Sequence, residues 1–225
     1  MQLAVIVPCL NESERIAATL APLRTLRKQG HQIIVVDGGS EDNSIELAKP
    51  LADTVVTTQC GRACQMNHGA SLTKADILLF LHADTLLPSN AAELICQGLI
   101  STHKDWGRFD VKLSGNQYWL RVVEFMMNQR SRITGIATGD QALFVRRELF
   151  DKAGGFPEIP LMEDVELSKQ LKKTSRPLCL KERVITSSRR WEQQGVWRTI
   201  VLMWRLRLAY FFGADPSQLK QQYDN

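Results

Sequence analysis

Cysteine is scarce in this sequence, and its spacing fits neither a disulfide framework nor a zinc site. The five cysteines stand at positions 9, 60, 64, 96 and 179, without a C-x-x-C pair. Cys60 and Cys64 are four residues apart, but no histidine or second cysteine pair completes a zinc set around them. These absences exclude a disulfide-rich secreted scaffold and predict free thiols in a reducing cytoplasm.

Targeting signals, repeats and biased segments are also absent. The N-terminus has no basic region, and its apolar run is too short for a signal peptide. No internal repeat, low-complexity segment or linker interrupts the 225 residues. With 44% hydrophobic and 23% charged residues, the composition excludes a disordered or collagen-like chain and is typical of a globular protein with one core.

The positive charge is unevenly distributed along the chain. The formal net charge is +4, yet residues 1–175 hold 19 Lys and Arg against 20 Asp and Glu. Residues 176–225 hold 9 against 4. Because the basic excess belongs to the last fifth of the chain, a uniformly basic nucleic-acid binder is excluded, and we expect no nucleic-acid partner.

Short apolar runs alternate with helix-period stretches from the first residue, which predicts an α/β fold with helices on both faces of a central sheet. The first helix is expected to be capped by Asn11 or Ser13. After about residue 105 the alternation becomes less regular. The predicted strands are 3–7, 33–36, 54–57, 77–81, 108–113 and 142–145, and the predicted helices are 16–26, 44–51, 62–72, 90–100, 119–132 and 163–173.

Residues 196–212 form an apolar helix interrupted by Arg198, Arg205 and Arg207. An arginine near the centre of a bilayer span costs roughly 2.5–3.5 kcal/mol, so a transmembrane helix is not expected. Two alternatives stay open. In the first, the segment is an exposed amphipathic helix that lies in a membrane interface or docks on an apolar partner. In the second, it is a buried helix of the domain itself. We therefore divide the chain into a catalytic domain, 1–195, and a C-terminal helix and tail, 196–225.

Four polar clusters are predicted to sit at the carboxyl ends of strands, where doubly wound sheets bind ligands. They are Asn11-Glu12, the DGGS turn at 37–40, His82-Ala83-Asp84 and Glu163-Asp164. The carboxylate of Asp37 can accept a hydrogen bond from a nucleobase or a ribose. Alternatively, it caps its own DGGS turn. The carboxylate of Asp84 with the nearby imidazole suits Mn²⁺, and Asp84 with waters and phosphates suits Mg²⁺. Arg62 suits a phosphate, or is a surface charge.

These motifs, taken in order, resemble a known family. The run VPCLNE (7–12), followed by VVDGGSEDNS (35–44), LHADT (81–85), GDQ (139–141) and GGFPEIPLMEDVEL (154–167), is similar to family 2 glycosyltransferases of the GT-A fold. The resemblance covers roughly residues 1–190 and implies a Rossmann-like mixed sheet with helices on both faces. GRACQMNHGA (61–70) and HADTLLP (82–88) resemble a narrower group, the radical-SAM/selenodomain-associated or arsenosugar-biosynthesis-type transferases.

The resemblance implies a donor site in the first half of the chain. It implies that Asp37 binds the base and that Asp84, the last position of the family's D-x-D motif, binds a divalent metal, Mn²⁺ or Mg²⁺. His82 stands where that motif has its first carboxylate, and we expect it to join the metal site with altered strength or preference. The other implied nucleotide-binding residues are Pro8, Asn11, Glu12, Arg62 and Asn67.

The resemblance also implies a catalytic base and an acceptor side. Asp164 would be the base, and the like charge of Glu163 would raise the pKa of one of the pair. The Q-x-x-R-W motif of processive members reads SSRRW (187–191) here, which argues against a polymerising synthase. Helix 119–132 and the C-terminal helix are expected to line the acceptor site. The implied acceptor-side residues are Gly139, Asp140, Gln141, Glu163, Arg190 and Trp191.

The expected function is therefore transfer of a sugar, with inversion and without processivity, from a nucleotide sugar to a small-molecule or lipid acceptor. A UDP-sugar is the favoured donor, and a membrane interface and a second copy of the chain are the expected macromolecular partners. A nucleotidyltransferase of related fold is disfavoured because the loop PCLNESE (8–14) has no glycine or basic residue. A nucleotide-sugar-binding module without catalysis is supported by His82 alone. The expected location is cytoplasmic, at or near the inner membrane face.

Overall fold

The computed structural model describes residues 1–59 and 61–224, without the side chain of residue 224. Cys60 and Asn225 lie outside the described residues, and the free thiol predicted at Cys60 therefore lies outside them as well. The other four cysteines are free thiols, of which Cys9 is buried. Burial raises the pKa of the Cys9 thiol to about 11, so it is neutral at physiological pH.

One mixed sheet of eight strands forms the centre of the molecule, in the order β3-β2-β1-β4-β7-β6-β8-β5. The first four strands are parallel, whereas β7 runs antiparallel to β4 and β6, and β5 runs antiparallel to β8. The predicted α/β fold is confirmed. The strands are β1 (Leu3–Cys9), β2 (Gln32–Asp37), β3 (Thr54–Thr57), β4 (Ile77–Phe80), β5 (Thr85–Leu86), β6 (Trp106–Leu113), β7 (Phe144–Arg146) and β8 (Leu178–Thr186).

Helices cover both faces of the sheet because its central strands, β1 and β4, are apolar and buried at every position. Leu3, Val5 and Val7 of β1 pack on one face, and Ala4 and Ile6 pack on the other. The helices are α1 (Ile16–Leu20), α2 (Arg24–Lys28), α3 (Ser44–Ala48), α4 (Arg62–Ser71), α5 (Ala91–Thr102), α6 (Tyr118–Thr134), α7 (Arg147–Lys152), α8 (Glu163–Lys172), α9 (Arg189–Gln194), α10 (Val196–Phe211) and α11 (Pro216–Asp224).

Two features at the start of the chain differ from the sequence prediction. The predicted helix 16–26 is divided into α1 and α2 by a 3-10 turn at Ala21–Leu23, which contains a proline near its start. The predicted cap at Asn11 or Ser13 is wrong, since the residue before α1 is Arg15 and no side chain caps it. Asn11 instead takes a left-handed conformation, with φ 53°, and its Oδ1 accepts the Glu41 N–H at 2.9 Å.

Buried polar groups fix α6 to β6. The Asn128 side chain bonds both the N–H and the C=O of Val111, at 2.9 and 3.0 Å, and so extends the strand's hydrogen bonding. Asp110 receives the guanidinium groups of Arg108, which is fully buried, and of Arg132 at 2.7 Å. These contacts set the position of α6 against the sheet.

The C-terminal helix α10 is only half covered by the domain. It buries Val196, Thr199 and Leu206, while an exposed apolar row, here called the outer stripe, faces away. Among the described residues, no helix combines the length and apolarity that crossing a bilayer requires. The predicted division between 195 and 196 falls between α9 and α10. The outer stripe consists of Trp197, Val201, Trp204, Leu208 and Phe211.

Candidate active site

A cavity of about 480 Å³ opens beside the carboxyl ends of β1 and β4. The chain leaves β1 towards β2 on one side and returns to β4 on the other, which makes this the switch point where such sheets bind ligands. Glu12 follows β1, and Asp84 follows β4. Burial, and then the charge of Asp84, raise the pKa of Glu12, so the two carboxylates face a common space.

Ten of the fifteen residues predicted from the sequence line this cavity, although they come from distant parts of the chain. They are Glu12, Arg62, His82, Asp84, Gly139, Asp140, Glu163, Asp164, Arg190 and Trp191.

The start of α8 presents two carboxylates in different environments. Asp164 lines the cavity, and its Oδ2 accepts the Gly139 N–H at 2.8 Å, which fixes the carboxylate's direction. Glu163 is only 4% exposed and lies 3.7 Å from Arg62 Nη1. Burial, and then the charge of Asp164, raise the pKa of Glu163. The left-handed Met162, with φ 71°, turns the chain immediately before this pair.

His82 is held in a tight contact with the turn opposite. Its Nδ1 lies 3.4 Å from Asp140 Oδ1, and its Nε2 is buried without a hydrogen-bond partner among the described residues. The ring rests on Gly139, where a Cβ would lie 2.5 Å from His82 Cε1 and nearer still to Nε2. Burial would raise the pKa of Asp140, but the His82 hydrogen bond and the charges of Arg62 and Arg207 hold it below its usual value.

The C-terminal helices complete the cavity wall. Arg190 Nη2 donates to the Tyr223 carbonyl at 2.6 Å, and the Arg190 guanidinium lies 3.5 Å from the centre of the Tyr223 ring. Arg207 of α10 enters the same cavity, where Asp164 and Asp140 are the charges acting on it. Sequence reasoning missed Arg207 and Tyr223 as site residues. An arginine within an otherwise apolar helix was the available signal for Arg207.

A second, smaller cavity of about 200 Å³ lies between α6 and α10. It shares Asp140, Trp191, Met203 and Arg207 with the first cavity, so the two adjoin. Its other walls are mainly apolar, with Arg130 as the second basic residue. The remaining lining residues are Val123, Met126, Met127, Ile200 and Trp204.

Two of the predicted donor residues lie at the carboxyl ends of β1 and β2, outside the lining of the cavity. The Asp37 carboxylate is buried and accepts the backbone N–H groups of Gly39 and Ser40, at 2.8 and 2.9 Å. It therefore caps its own turn, and base binding by Asp37 stays a prediction. Pro8 is buried within β1 opposite Val36, since the strand continues through the proline to Cys9.

Three more predicted residues serve the protein scaffold. Asn11, described above, joins the first loop to Glu41. The amide of Asn67 bonds both the N–H and the C=O of Phe156 at 2.8 Å, which ties α4 to the loop before α8. Gln141 is fully buried, and its Oε1 accepts the Thr138 N–H at 3.2 Å. Direct substrate contact by Asn67 and Gln141 is disfavoured because their side-chain amides already have protein partners.

The metal-binding prediction has to be tested against the groups present. Among residues 1–59 and 61–224, no cluster of three or more His, Cys, Asp or Glu side chains is arranged to hold a metal ion. His82 does not fit as a ligand, because Nδ1 faces Asp140 and Nε2 is buried against Gly139. Asp84 does fit, since Mg²⁺ is often held by one or two carboxylates together with substrate phosphates. The residues suit a cation shared between Asp84 and a diphosphate, not a closed protein cage.

Comparison with known proteins gives partial matches in sequence. Poly-beta-1,6-N-acetyl-D-glucosamine synthase of Staphylococcus aureus (strain COL) is 29% identical over 92 residues, which are 38% of this chain and 22% of the synthase. Succinoglycan biosynthesis protein ExoA of Rhizobium meliloti (strain 1021) is 25% identical over 194 residues, 75% of this chain and 57% of ExoA. The chain thus spans about a fifth to somewhat over half of these relatives.

Solved structures share the fold at low sequence identity. S. aureus TarS 1-349 in complex with UDP-GlcNAc has a TM-score of 0.67 and 19% identity, over 83% of this chain and 58% of that one. The mannosyltransferase PcManGT from Pyrobaculum calidifontis, in complex with GDP-Man and Mn²⁺, has a TM-score of 0.67 and 20% identity, over 92% of this chain and 60% of that one.

The match to a sequence family is broader than the match to any one of these relatives. Residues 4–154, well over half of the chain, match Glycosyl transferase family 2. They include β1, β2 and the HAD segment at 82–84, where the resemblance was first seen. The chain belongs to glycosyl transferase family 2 and has the GT-A fold.

Proposed function

We propose that the chain is an inverting, non-processive glycosyltransferase that moves a sugar from a nucleotide sugar to a small-molecule or lipid acceptor. The observation that carries this proposal is the meeting of Asp84, Arg62 and Asp164 around one cavity at the switch point of the sheet. A cavity of about 480 Å³ is in the size range of small-molecule and cofactor sites.

Asp164 is the proposed base. An acceptor hydroxyl is a weak nucleophile, and removal of its proton during attack is typically worth ~10²–10⁴ in rate. The two carboxylate oxygens accept the N–H groups of Gly139 and Val165, at 2.8 and 2.7 Å, which fixes the group's orientation and still leaves a lone pair on each oxygen. Glu163 suits the role less well, since it is buried beside Arg62 and its pKa is raised. Direct displacement opposite the leaving group inverts the anomeric centre.

The leaving nucleoside diphosphate develops negative charge, and the chain offers positive charge where it would lie. Arg62 and Arg190 line the cavity, and Asp84 would hold the divalent cation with the diphosphate. When bound, such a cation stabilises the leaving oxygens. Glu12, beside Asp84, borders the same space. We leave Asn67 out of the donor site because Phe156 uses its amide.

A UDP-sugar is the first donor to test, since TarS has been solved with UDP-GlcNAc, and GDP-mannose is the second, since PcManGT has been solved with GDP-Man and Mn²⁺. The absence of the Q-x-x-R-W glutamine supports single transfer over polymerisation. Location in the cytoplasm, with 196–225 as an accessory segment, belongs to the same proposal.

The test is nucleotide release from a panel of UDP- and GDP-sugars, with and without Mn²⁺ and with an alcohol as acceptor, followed by NMR of the anomeric configuration of the glycoside formed. Metal-stimulated release from one donor with an inverted product supports the proposal. A retained configuration contradicts the inverting mechanism. Tight nucleotide binding with no release from any donor favours the alternative of a binding module.

We propose further that the outer stripe contacts anionic membranes. Its residues repeat at alternate spacings of four and three, and Trp197, Trp204 and Phe211 are 59%, 62% and 77% exposed. Trp119 of α6 extends the apolar surface, with its ring 4.8 Å from that of Trp197. Aromatic residues with nearby arginines suit the headgroup region, where each basic residue adds about 1 kcal/mol.

A second copy of the chain is the rival occupant of this surface, because the same spacing also suits a helix-to-helix seam. Co-sedimentation with anionic and neutral vesicles, over a range of salt, separates the two. Salt-sensitive binding to anionic vesicles supports the membrane. A salt-insensitive dimer by light scattering, with no vesicle binding at low salt, overturns it.

A further inference from the structure

The smaller cavity between α6 and α10 combines an apolar wall with unpaired positive charge. Val123, Met126 and Met127 come from α6, and Ile200 and Trp204 come from α10. Met126 and Trp204 are themselves exposed, so the cavity opens on the apolar surface formed by these two helices. A cavity that bound only an apolar ligand would need no basic residue in its wall.

Arg130 lies in that apolar wall with donors left unused. Its Nε and Nη2 are buried and have no hydrogen-bond partner in the part of the chain that the structure describes. The other two arginines of α6 have carboxylate partners. Arg121 pairs with Glu124 at 3.0 Å, although its Nε is also buried without a partner among the described residues, and Arg132 pairs with Asp110 at 2.7 Å. Buried polar groups normally have partners, so the missing partner of Arg130 points to a ligand.

Arg207 stands beside Arg130 on the opposite helix. Burial lowers the pKa of Arg130 to about 9, and the positive charge of Arg207 is the next largest cause. Burial also lowers the pKa of Arg207, against the opposing effect of Asp164 and Asp140. Two guanidinium groups facing one small, partly dry space favour an anion between them. The charges of Asp140 and Asp164 act on both arginines, but within the described residues neither carboxylate forms an ion pair with Arg130 or Arg207, and Asp140 lies instead 3.4 Å from His82 Nδ1.

We propose that this cavity is the acceptor subsite and that it takes an anionic amphiphile, a molecule whose carboxylate or phosphate binds between Arg130 and Arg207. Its apolar body lies along the methionines and Trp204 towards the outer stripe. The inference rests on the proposed glycosyltransferase function, since four shared residues join this cavity to the one that holds Asp164. They are Asp140, Trp191, Met203 and Arg207.

The test measures binding of three ten-carbon probes to the full chain without any donor. Decanoate, decyl phosphate and decanol share one apolar body and differ in the head group. Trp191 and Trp204 line the cavity, so binding is followed by tryptophan fluorescence and checked by calorimetry. We expect the two anions to bind about ten- to a hundredfold more tightly than decanol, the range of charge-assisted hydrogen bonds. The better of the two anions identifies the head group.

Variants then locate the charge effect. Arg130→Met and Arg207→Met should each remove most of the anions' advantage while leaving decanol affinity within a few fold. Arg205→Met is the matched control, since Arg205 is on the same helix but is exposed and lies outside this cavity. Arg205→Met should change neither the anions' advantage nor the decanol affinity, although it removes the same formal charge. Arg130→Lys keeps the charge and should retain part of the advantage.

The proposal is overturned if decanol binds as tightly as the anions, if no probe binds, or if Arg205→Met weakens the anions as much as Arg130→Met does. The probe comparison on the unaltered chain needs no variant to fold. UDP affinity of the same preparation is measured in parallel. If the unaltered chain does not bind UDP, the result counts against the proposed function. If it binds UDP but shows no preference for the anionic probes, the result counts against this inference alone.

Discussion

Gly139→Ala is a sharp test of the site's geometry, because the added methyl has no room. Its Cβ would lie 2.5 Å from His82 Cε1, whereas ordinary contact begins at 3.4 Å. Either the ring or the turn must therefore retreat by at least about 0.9 Å, and by more at His82 Nε2, which lies nearer still. If the ring moves, His82 loses its contact with Asp140. If the turn moves, the Gly139 N–H leaves Asp164, whose carboxylate it orients.

The expected magnitudes follow from that displacement. Overpacking typically costs about 1–3 kcal/mol, which lowers Tm by about 2–12 °C in a domain of this size. A displacement of about 1 Å at a catalytic group can cost ~10²-fold in rate, so we expect kcat to fall by about that factor. Nucleotide affinity should stay within a few fold, since Asp84 and Arg62 are untouched.

The assay is nucleotide release by the single variant and by Gly139→Ala combined with His82→Ala, which removes the clashing ring. The double variant should recover part of the lost rate and of the lost Tm. Gly98→Ala is the matched control, because its Cβ would lie 2.6 Å from Leu178 Cδ2, away from the site. It should lose stability but not kcat. Unchanged kcat in Gly139→Ala would refute the reasoning.

Three further predictions address stability, metal binding and pH. Asp110→Ala leaves the buried Arg108 without its carboxylate and should cost about 3–5 kcal/mol of unfolding free energy, measured by urea unfolding; a loss below about 1 kcal/mol contradicts it. Asp84→Ala should abolish the gain in UDP affinity that Mn²⁺ gives, measured by calorimetry; an unchanged gain removes Asp84 from the metal site. The pKa of Asp140 is lower in the folded state, so its ionised form stabilises the fold above the ordinary value of 3.8, and that stabilisation is lost as the pH falls through the folded value. Asp140→Asn should therefore melt below the wild type at neutral pH and approach it in acid, and a gap that widens in acid contradicts this.

The regular first half of the fold was predictable because its physical signals are local. Leu3–Val7 and Ile77–Leu81 are continuous apolar runs, as expected of strands buried on both faces, and each forms a central strand. Because neighbouring parallel strands end at the same edge of a sheet, the polar residues that follow β1 and β4, among them Glu12 and Asp84, were expected to lie close together. The β8 strand was missed because its solvent-facing positions, among them Lys181 and Glu182, dilute the apolar pattern.

Long-range contacts set the rest of the site, and no local pattern encodes them. His82 was expected to face a metal, but the turn at Gly139 and Asp140, nearly sixty residues later, encloses its ring. Asn67 was predicted to bind the nucleotide, but both ends of its amide are hydrogen-bonded to the backbone of Phe156. Arg207 was seen only as an interruption of an apolar helix, and its role depends on how α10 packs.

The central claim is that Asp164 is the base in a transfer from a nucleotide sugar. The direct measurement is the rate of nucleotide release by wild type and Asp164→Asn at saturating donor, with UDP affinity measured on both. The account predicts a fall in rate of about two to four orders of magnitude, with UDP affinity within a few fold and Tm nearly unchanged. Near-normal release by Asp164→Asn would contradict it.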